Sequence, residues 1–506
     1  MSVVTSLPHL DLEFDGSALA ETAAASLEEV RIQHKLSQPS VCELTFFVTR
    51  DPIPGLQNLR AGSSIKLSLP SNSATLFDGE ITALEYSYEA SHGETLRVRG
   101  YDKLHRLRKR QPVRAHVQVS AADLARELVA DLGLSVEAAD EGPLTQSILQ
   151  YRQSDLELLV EVLQRFGLYL ALRGDVLHLV GLEGTGDTVE LDLGKNLFEA
   201  RLEVNAEPAC RSVLAKGWDV SKGEAHESLA DTPHIGRDVD AEAPPGLFGT
   251  DGARTLTDEI LPDDHHASAV AQAELNLRNS REVTFWGIAE GDPDLMPGTA
   301  VDVSGVALGL AGRYVLTAVT HLVNRRSGFT SEISSAPPVF ERCTGMVTAA
   351  WGTITSVDDP EKLGRVRASL PTLGKVETEW MGVLAPGAGK GKGFVFMPDV
   401  GDEVLVMFLG GEIRQGYVLG GLWGTNGPPD YGVEGASIKR FTMCTPGGQT
   451  IRLDDSSESI RLENKGGSFF EFSPEKARWH SVVDLEIEAP GRAVVIRGKT
   501  IDFRQA

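Results

Sequence analysis

The sequence predicts a mainly β protein with a small α/β insert, a compact barrel in its second half and a terminal ladder of short strands. Three observations predict it. Apolar and polar residues alternate over short runs through most of the chain, as half-buried strands require. Gly 52 and Pro 25 punctuate these runs in the manner of turn residues. Only a few stretches, such as those opening at Ser120 and Ser154, carry helical periodicity behind a capping residue.

Along the chain, residues 10–14, 41–48, 64–69, 76–86 and 95–101 read as strands with alternating faces. Ser120 is placed to cap a helix over 121–132, where Leu124, Leu128, Val129 and Leu132 share one face ahead of Gly133. Ser154 and Glu157 have capping-box spacing, Leu158, Leu159, Val162, Leu163 and Phe166 form an apolar stripe, and Gly167 supplies the stop. A stripe of that kind packs into a core. Residues 222–264 are rich in Asp, Glu, Gly and Pro and read as a long surface excursion.

From 352 to 367 the alternation runs on both sides of Asp358-Asp359-Pro360, the pattern of a hairpin. Further short strands are expected at 378–384, 393–397, 403–409 and 417–422. About six strands in under ~80 residues is the density of a small closed barrel. Linkers fall near Ala336-Pro337-Pro338 and between Asn426 and Asp430. The ladder follows, with strands expected at 441–444, 450–453, 459–462, 468–472, 485–487, 494–496 and 500–503. Each has one apolar face and too little chain around it to bury that face, and a lone copy leaves open edges. Three chains wound together cover both, which predicts a triple-stranded β-helix formed by a homotrimer. The alternative is a meander folded back on the barrel. The expected needle core is Ile451, Leu453, Ile460, Leu462, Phe470, Phe472, Leu485, Ile487, Val494 and Ile496. Some seven strands at ~4.8 Å each make a blunt spike of only ~35 Å.

At 506 residues the chain exceeds a single core and is expected to divide into several domains. A formal charge of −24 makes it a poor non-specific partner for nucleic acid or anionic membranes. Lys103, Arg106, Arg108, Lys109, Arg110 and Arg114, with His105 among them, form the one conspicuous basic cluster. It reads either as a solvated strand edge or as an electrostatic contact for an acidic partner. Cys42, Cys210, Cys343 and Cys444 are widely spaced, which fits neither a disulfide framework nor a metal site. The first residues lack the basic and apolar regions of a signal peptide, so synthesis in the cytoplasm is expected.

No enzymatic signature stands out. Gly387-Ala-Gly-Lys-Gly-Lys-Gly393 lacks the spacing and the Ser or Thr of a phosphate loop and reads as a flexible barrel loop. His226-Glu227 lacks the second His of a zinc helix. Asp263, Asp264, His265 and His266 are adjacent, a geometry that rarely converges on one ion. His480 is either a turn residue or, tripled on a threefold axis, a ligand for zinc or iron. No cofactor, metal or catalytic residue is therefore expected.

Leu363-Gly-Arg-Val, Ala388-Gly-Lys-Gly-Lys-Gly-Phe, Pro398-Asp-Val-Gly-Asp-Glu-Val-Leu-Val and Val418-Leu-Gly-Gly-Leu-Trp, ending in Gly427-Pro-Pro429, resemble the OB-fold of contractile-machine spikes. That family takes in phage baseplate spikes, the VgrG spikes of type VI secretion and the spikes of extracellular injection systems. Gln153-Ser-Asp155, residues 169–179, Met296-Pro-Gly-Thr-Ala-Val-Asp-Val303 and residues 312–321 resemble the late-control D hubs of phage tails. The resemblance implies three domains: a hub over 1–335 with two tube-like β-barrels and a helical insert at about 116–170, an OB-fold barrel over 344–427, and a needle over 438–506. It implies a trimeric spike of the extracellular type, with the type VI VgrG spike or phage tail spike as alternative and a cell-wall hydrolase or glycan-binding tail protein as remote ones. About ten residues separate Pro429 from the ladder, which leaves no room there for an inserted lysozyme-like domain. The implied partners are two further copies of the chain, the inner tube ring, baseplate subunits, effector cargo, and a PAAR-like tip protein docking on Ile501 and Phe503, with no nucleic acid and a membrane only on firing.

Overall fold

The computed structural model describes residues 9–48, 56–70, 74–89, 93–219, 224–249, 251–257, 261–339, 348–408 and 416–504. Cys343 lies outside them. The chain divides into two compact units, Met1–Gly421 and Leu422–Ala506.

An eleven-stranded sheet organises the first unit. Its strands alternate as the sequence does, Val30, Ile32, Leu44, Phe46, Ile65, Leu67 and Val98 turning inward to one core. A second core is built from Phe285, Val301, Val303, Tyr314, Val319 and Ile333. The sheet is continuous between them because Leu27–Lys35 pairs antiparallel with Ala318–Asn324, residues nearly 300 positions apart. Val319 serves one core and Val323 the other, so this pair of strands is the joint.

Two inserts flank these cores. In the first, Ser120 and Ser154 both form capping boxes, with Asp123 and Glu157, over Ala121–Val129 and Asp155–Arg165. Leu124, Leu128, Leu159 and Leu163 close its core, as the periodicity requires. The second insert corrects the surface excursion expected over 222–264. Ser212–Asp219, Glu224–Ala230 and Ala253–Leu256 form a three-stranded sheet under the helix Asp264–Glu282. Its buried face is lined by small residues such as Ala215 and Ala230, so the segment stays polar in composition although it folds. The connection before that helix is held by a buried ion pair, Arg237 Nη2 to Glu282 Oε2 at 3.2 Å, and the Ala243 N–H donates to Glu282 Oε1 at 2.6 Å. Gly167 ends the first insert's helix at φ 73°, and a Cβ there would lie 3.1 Å from that of Ala273 on the second insert's helix, so the two inserts meet where only glycine fits.

Residues 348–422 close into a five-stranded barrel. In chain order its strands are Thr348–Ser356, Arg365–Leu370, Met381–Val383, Glu403–Phe408 and Gly416–Leu422. The first pairs with the second and the fourth, the second with the third, and the third runs parallel to the fifth, which closes on the fourth. This is the closed Greek-key order of an OB-fold. Ile354, Val366, Ala368, Leu370, Met381, Val404, Val406 and Phe408 fill it, with Leu149 of the first insert packed alongside. The turn at 358–364 is fastened by Asp359, which receives Arg365 Nη2 at 2.8 Å and Nε at 3.1 Å and the Leu363 N–H at 2.8 Å. The Arg365 guanidinium holds that carboxyl well below the usual carboxylate range. Residues 393–397 are not a strand: the barrel closes without them, and they have no ladder partner. Phe394, Val395, Phe396 and Met397 are exposed on this connection, the two phenyl rings stacked 6.2 Å apart.

In the second unit, Arg440–Cys444, Thr450–Asp454, Ser459–Glu463, Phe469–Phe472 and Ala477–His480 form an antiparallel meander. Asp430 ties the approach to its first strand, accepting from Thr442 Oγ1 at 2.7 Å and from the Gly432 N–H at 3.0 Å.

Candidate functional site

The register of this meander sorts its side chains onto two unlike faces. Met443, Ile451, Leu462, Phe470 and Trp479 stand opposite one another in sequence across the five strands. Phe441, Leu453, Ile460, Phe472 and Ala477 form a second row beside them. Both rows lie on one face because a strand alternates with period two. Phe470 is half-buried, its ring 4.7 Å from that of Phe472, while Phe441 is 54% exposed, Leu453 45% and Trp479 59%. The opposite face carries Thr442, Arg452, Arg461, Glu471 and Arg478 in register. There Arg461 bonds both oxygens of Glu463 at 3.0 Å and sits 3.8 Å above the Phe469 ring. One face is thus complete within the chain, and the other is an uncovered apolar surface much larger than a scatter of single exposed residues.

Of the ten residues expected in a needle core, Ile451, Leu453, Ile460, Leu462, Phe470 and Phe472 come together on this face. Leu485, Ile487, Val494 and Ile496 do not. They lie with Ile501 and Phe503 on an exposed segment that has no strand pairing, where three strands were expected. Alternation prepares a strand but does not supply its hydrogen-bond partner. Phe441, Met443 and Trp479 belong to the face and were not singled out. The two-residue spacing of Phe441 and Met443 is a signal that was there to be used, whereas Trp479 lies in a strand that the sequence presents as an interruption. His480 is in that strand rather than a turn, and it registers with Phe469 on the polar face, the rings 5.0 Å apart.

The other candidates disperse. Of the basic cluster, Lys103, Arg106, Arg108 and Lys109 lie with His105 on a 3-10 helix, Lys103–Lys109, capped by Asp102, while Arg110 follows it and Arg114 opens the strand Arg114–Val119. The cluster's charges meet acids of the same chain: Arg106 and His105 on Glu80, Arg110 on Asp131 at 2.7 Å, and Arg114 on Asp155 at 3.1 Å. His266 Nδ1 is spent on Asp263 and His226 Nδ1 on Asp264, each at 2.8 Å. Among the described residues no group of three or more His, Cys, Asp or Glu is arranged to hold a metal ion. Trp380 is covered by Arg367 at 4.9 Å, while Trp351 and Trp423 are exposed.

Residues 350–423 match the family model of the type VI secretion system/phage-baseplate injector OB domain, and residues 9–325 match that of the Alg8 N-terminal domain. No curated protein matches the chain. Among solved structures, the 43 kDa tail protein of prophage MuSo2 from Shewanella oneidensis is 15% identical with a TM-score of 0.50, covering 65% of this chain and 98% of its own. An E. coli component of the type VI secretion system, itself similar to bacteriophage T4 tail proteins gp27 and gp5, is 15% identical with a TM-score of 0.51, over 78% of this chain and 96% of that one. A Francisella PdpA-VgrG complex matches 94% of this chain and 89% of the other at 10% identity, with a TM-score of 0.55. At such identities the likeness is one of fold, and the fold is that of phage-tail and type VI spike proteins.

Proposed function

The chain belongs to the Alg8 N-terminal domain family, whose model spans residues 9–325, and from that premise we propose that it is the structural, non-enzymatic central spike of a contractile injection machine. One observation carries the reading. An injector OB barrel is followed by a sheet that completes its polar face within the chain and leaves its apolar face bare. Three such sheets, turned inward around a threefold axis, bury those faces against one another as a homotrimer. Beyond Ser481 the unpaired apolar positions Leu485, Ile487, Val494 and Ile496 pair between chains and complete a short triple-stranded β-helix.

Residues 1–335 are the hub. Their two sheet cores per chain make six tube-like units in a trimer, which matches a sixfold inner tube to a threefold needle. In this reading the hub caps the inner tube and nucleates the baseplate, and Ile501 and Phe503 form the blunt end that seats a PAAR-like tip protein. Effector cargo is carried on the same assembly. The chain is made in the cytoplasm, joins a particle of the extracellular injection type, and meets the target membrane only on firing. A type VI spike is the second reading, favoured by the match to the VgrG-containing structure along 94% of this chain.

Light scattering on the full-length protein and on a chain ending at Asp430 tests the trimer. Full-length protein at three times 54.5 kDa, with trimers weakened or lost on truncation, supports the spike. A stable full-length monomer overturns it.

A further inference from the structure

Two histidines meet on the joint between the cores of the first unit. His34 lies on Leu27–Lys35 and His321 on Ala318–Asn324. Ile32 stands opposite His321 and His34 opposite Val319, so all four side chains share the inward face. The two rings meet edge to face with centroids 5.7 Å apart, and His34 is 5% and His321 1% exposed. Each Nδ1 lies 2.9 Å from a hydroxyl, Ser40 for His34 and Ser331 for His321. Ser40 extends the chain of contacts, its N–H donating to Asp102 Oδ2 at 2.6 Å. A buried polar line therefore crosses the joint from Asp102 through Ser40, His34 and His321 to Ser331, and nothing in the spike reading uses it.

The surroundings offer these rings little compensation for a charge. Glu29, Arg31, Lys35, Glu43, Arg99 and Glu332 occupy the alternate, outward positions of the strands packed here. Asp78, on the strand Ala74–Glu89, and Asp294, in a neighbouring turn, are exposed, and Asp292 accepts the Asp294 N–H. Among the described residues, Asp102 is the buried carboxylate in line with the pair.

We propose that His34 and His321 form an acid-sensitive latch on this joint: neutral, they pack it shut with their rings 5.7 Å apart, and because neither ring can take up a proton cheaply while it is buried, a fall in pH favours the opened joint, where both are hydrated and can be protonated. Burial pushes His34 down to about 4 and, with His34 beside it, His321 down to about 3. A base whose folded value is depressed contributes stability that is whole above its unfolded value near pH 6.5. That stability drains away as the pH falls toward the folded value. Asp102 acts in the opposite sense: burial raises it to about 6, so its neutral form gains as the pH drops, but it moves less far than either histidine. Together these shifts imply that opening of the joint rises about 50-fold between pH 7 and pH 5.

Hydrogen exchange on the full-length protein reads this directly. Amides of residues 27–35 and 318–324, corrected for the intrinsic effect of pH on exchange, are expected to open about 50-fold more at pH 5 than at pH 7. The double variant His34→Gln, His321→Gln is expected to lose that rise. Equal protection of the wild type at both pH values, or an undiminished rise in the double variant, overturns the latch. Should the variant fail to fold, deuteration of each imidazole Cε1 in the wild type decides. Titration of His34 and His321 near the ordinary 6.5 refutes the proposal, and titration at or below about 4 upholds it.

Discussion

Replacing Leu453 and Leu462 together by Asp should convert the proposed trimer to a monomer. Leu453 lies between Phe441 and Ile460, and Leu462 between Ile451 and Phe470, so both sit in the middle of the apolar face. Each is 45% exposed in the single chain. Full burial of a large apolar side chain is worth about 1.5–3 kcal/mol, so covering the remaining half contributes about 1 kcal/mol per position. Over the nine large side chains of the face, Phe441, Met443, Ile451, Leu453, Ile460, Leu462, Phe470, Phe472 and Trp479, that is roughly 9 kcal/mol per chain, against association costs of about 4–15 kcal/mol. The double substitution removes about 2 kcal/mol of this per chain. It also brings six carboxylates into the shared interior of a trimer, each costing several kcal/mol without a partner. Light scattering should find 54.5 kDa in place of three times that mass. Glu471→Ala, on the opposite face, should leave the mass of the wild type unchanged. A doubly substituted protein that keeps the threefold mass and its melting temperature refutes the inward-facing arrangement.

Three further outcomes are expected. Substituting Ile501 and Phe503 by Asp should abolish retention of the proposed PAAR-like tip protein while light scattering still reports the proposed trimer; undiminished co-purification of the tip rejects that docking site. Glu282→Ala strips Arg237 of its buried partner and leaves the Ala243 N–H without its acceptor, which should destabilise the second insert by about 3 kcal/mol. Hydrogen exchange of residues 264–282 measures it, and protection equal to wild type contradicts the assignment. Ser154→Ala removes the N-cap from Asp155–Arg165 and should lower the local stability of that helix by about 1 kcal/mol, visible as faster exchange in its first turn.

The capped helices, the alternating strands before residue 102 and the barrel hairpin were legible because their signals are local. Ser120 and Ser154 satisfy N–H groups three residues away, and the Asp359 turn closes onto Arg365 six residues on. The second insert was missed because its strands are short and bury small residues such as Ala215 and Ala230 beside scattered Val213, Leu256 and Leu261, so neither periodicity nor composition marks it. Residues 393–397 show the converse error: their apolar run suits a strand, but among the described residues it has no strand partner. Over 485–503 the alternation is as clean as that of true strands and finds no partner within the single chain.

What the sequence by itself determined is therefore the small units: caps, turns, strand faces, and the barrel motifs that mark an injector OB domain. Tertiary structure alone decided which of these units meet. It joined Leu27–Lys35 to Ala318–Asn324, brought His34 against His321, and aligned apolar residues from five separate strands into one uncovered face. The physical reason is range. Dihedral preference and capping act over a few residues, whereas pairing between distant strands is settled by long-range burial and hydrogen bonding, of which one strand's pattern records its own half.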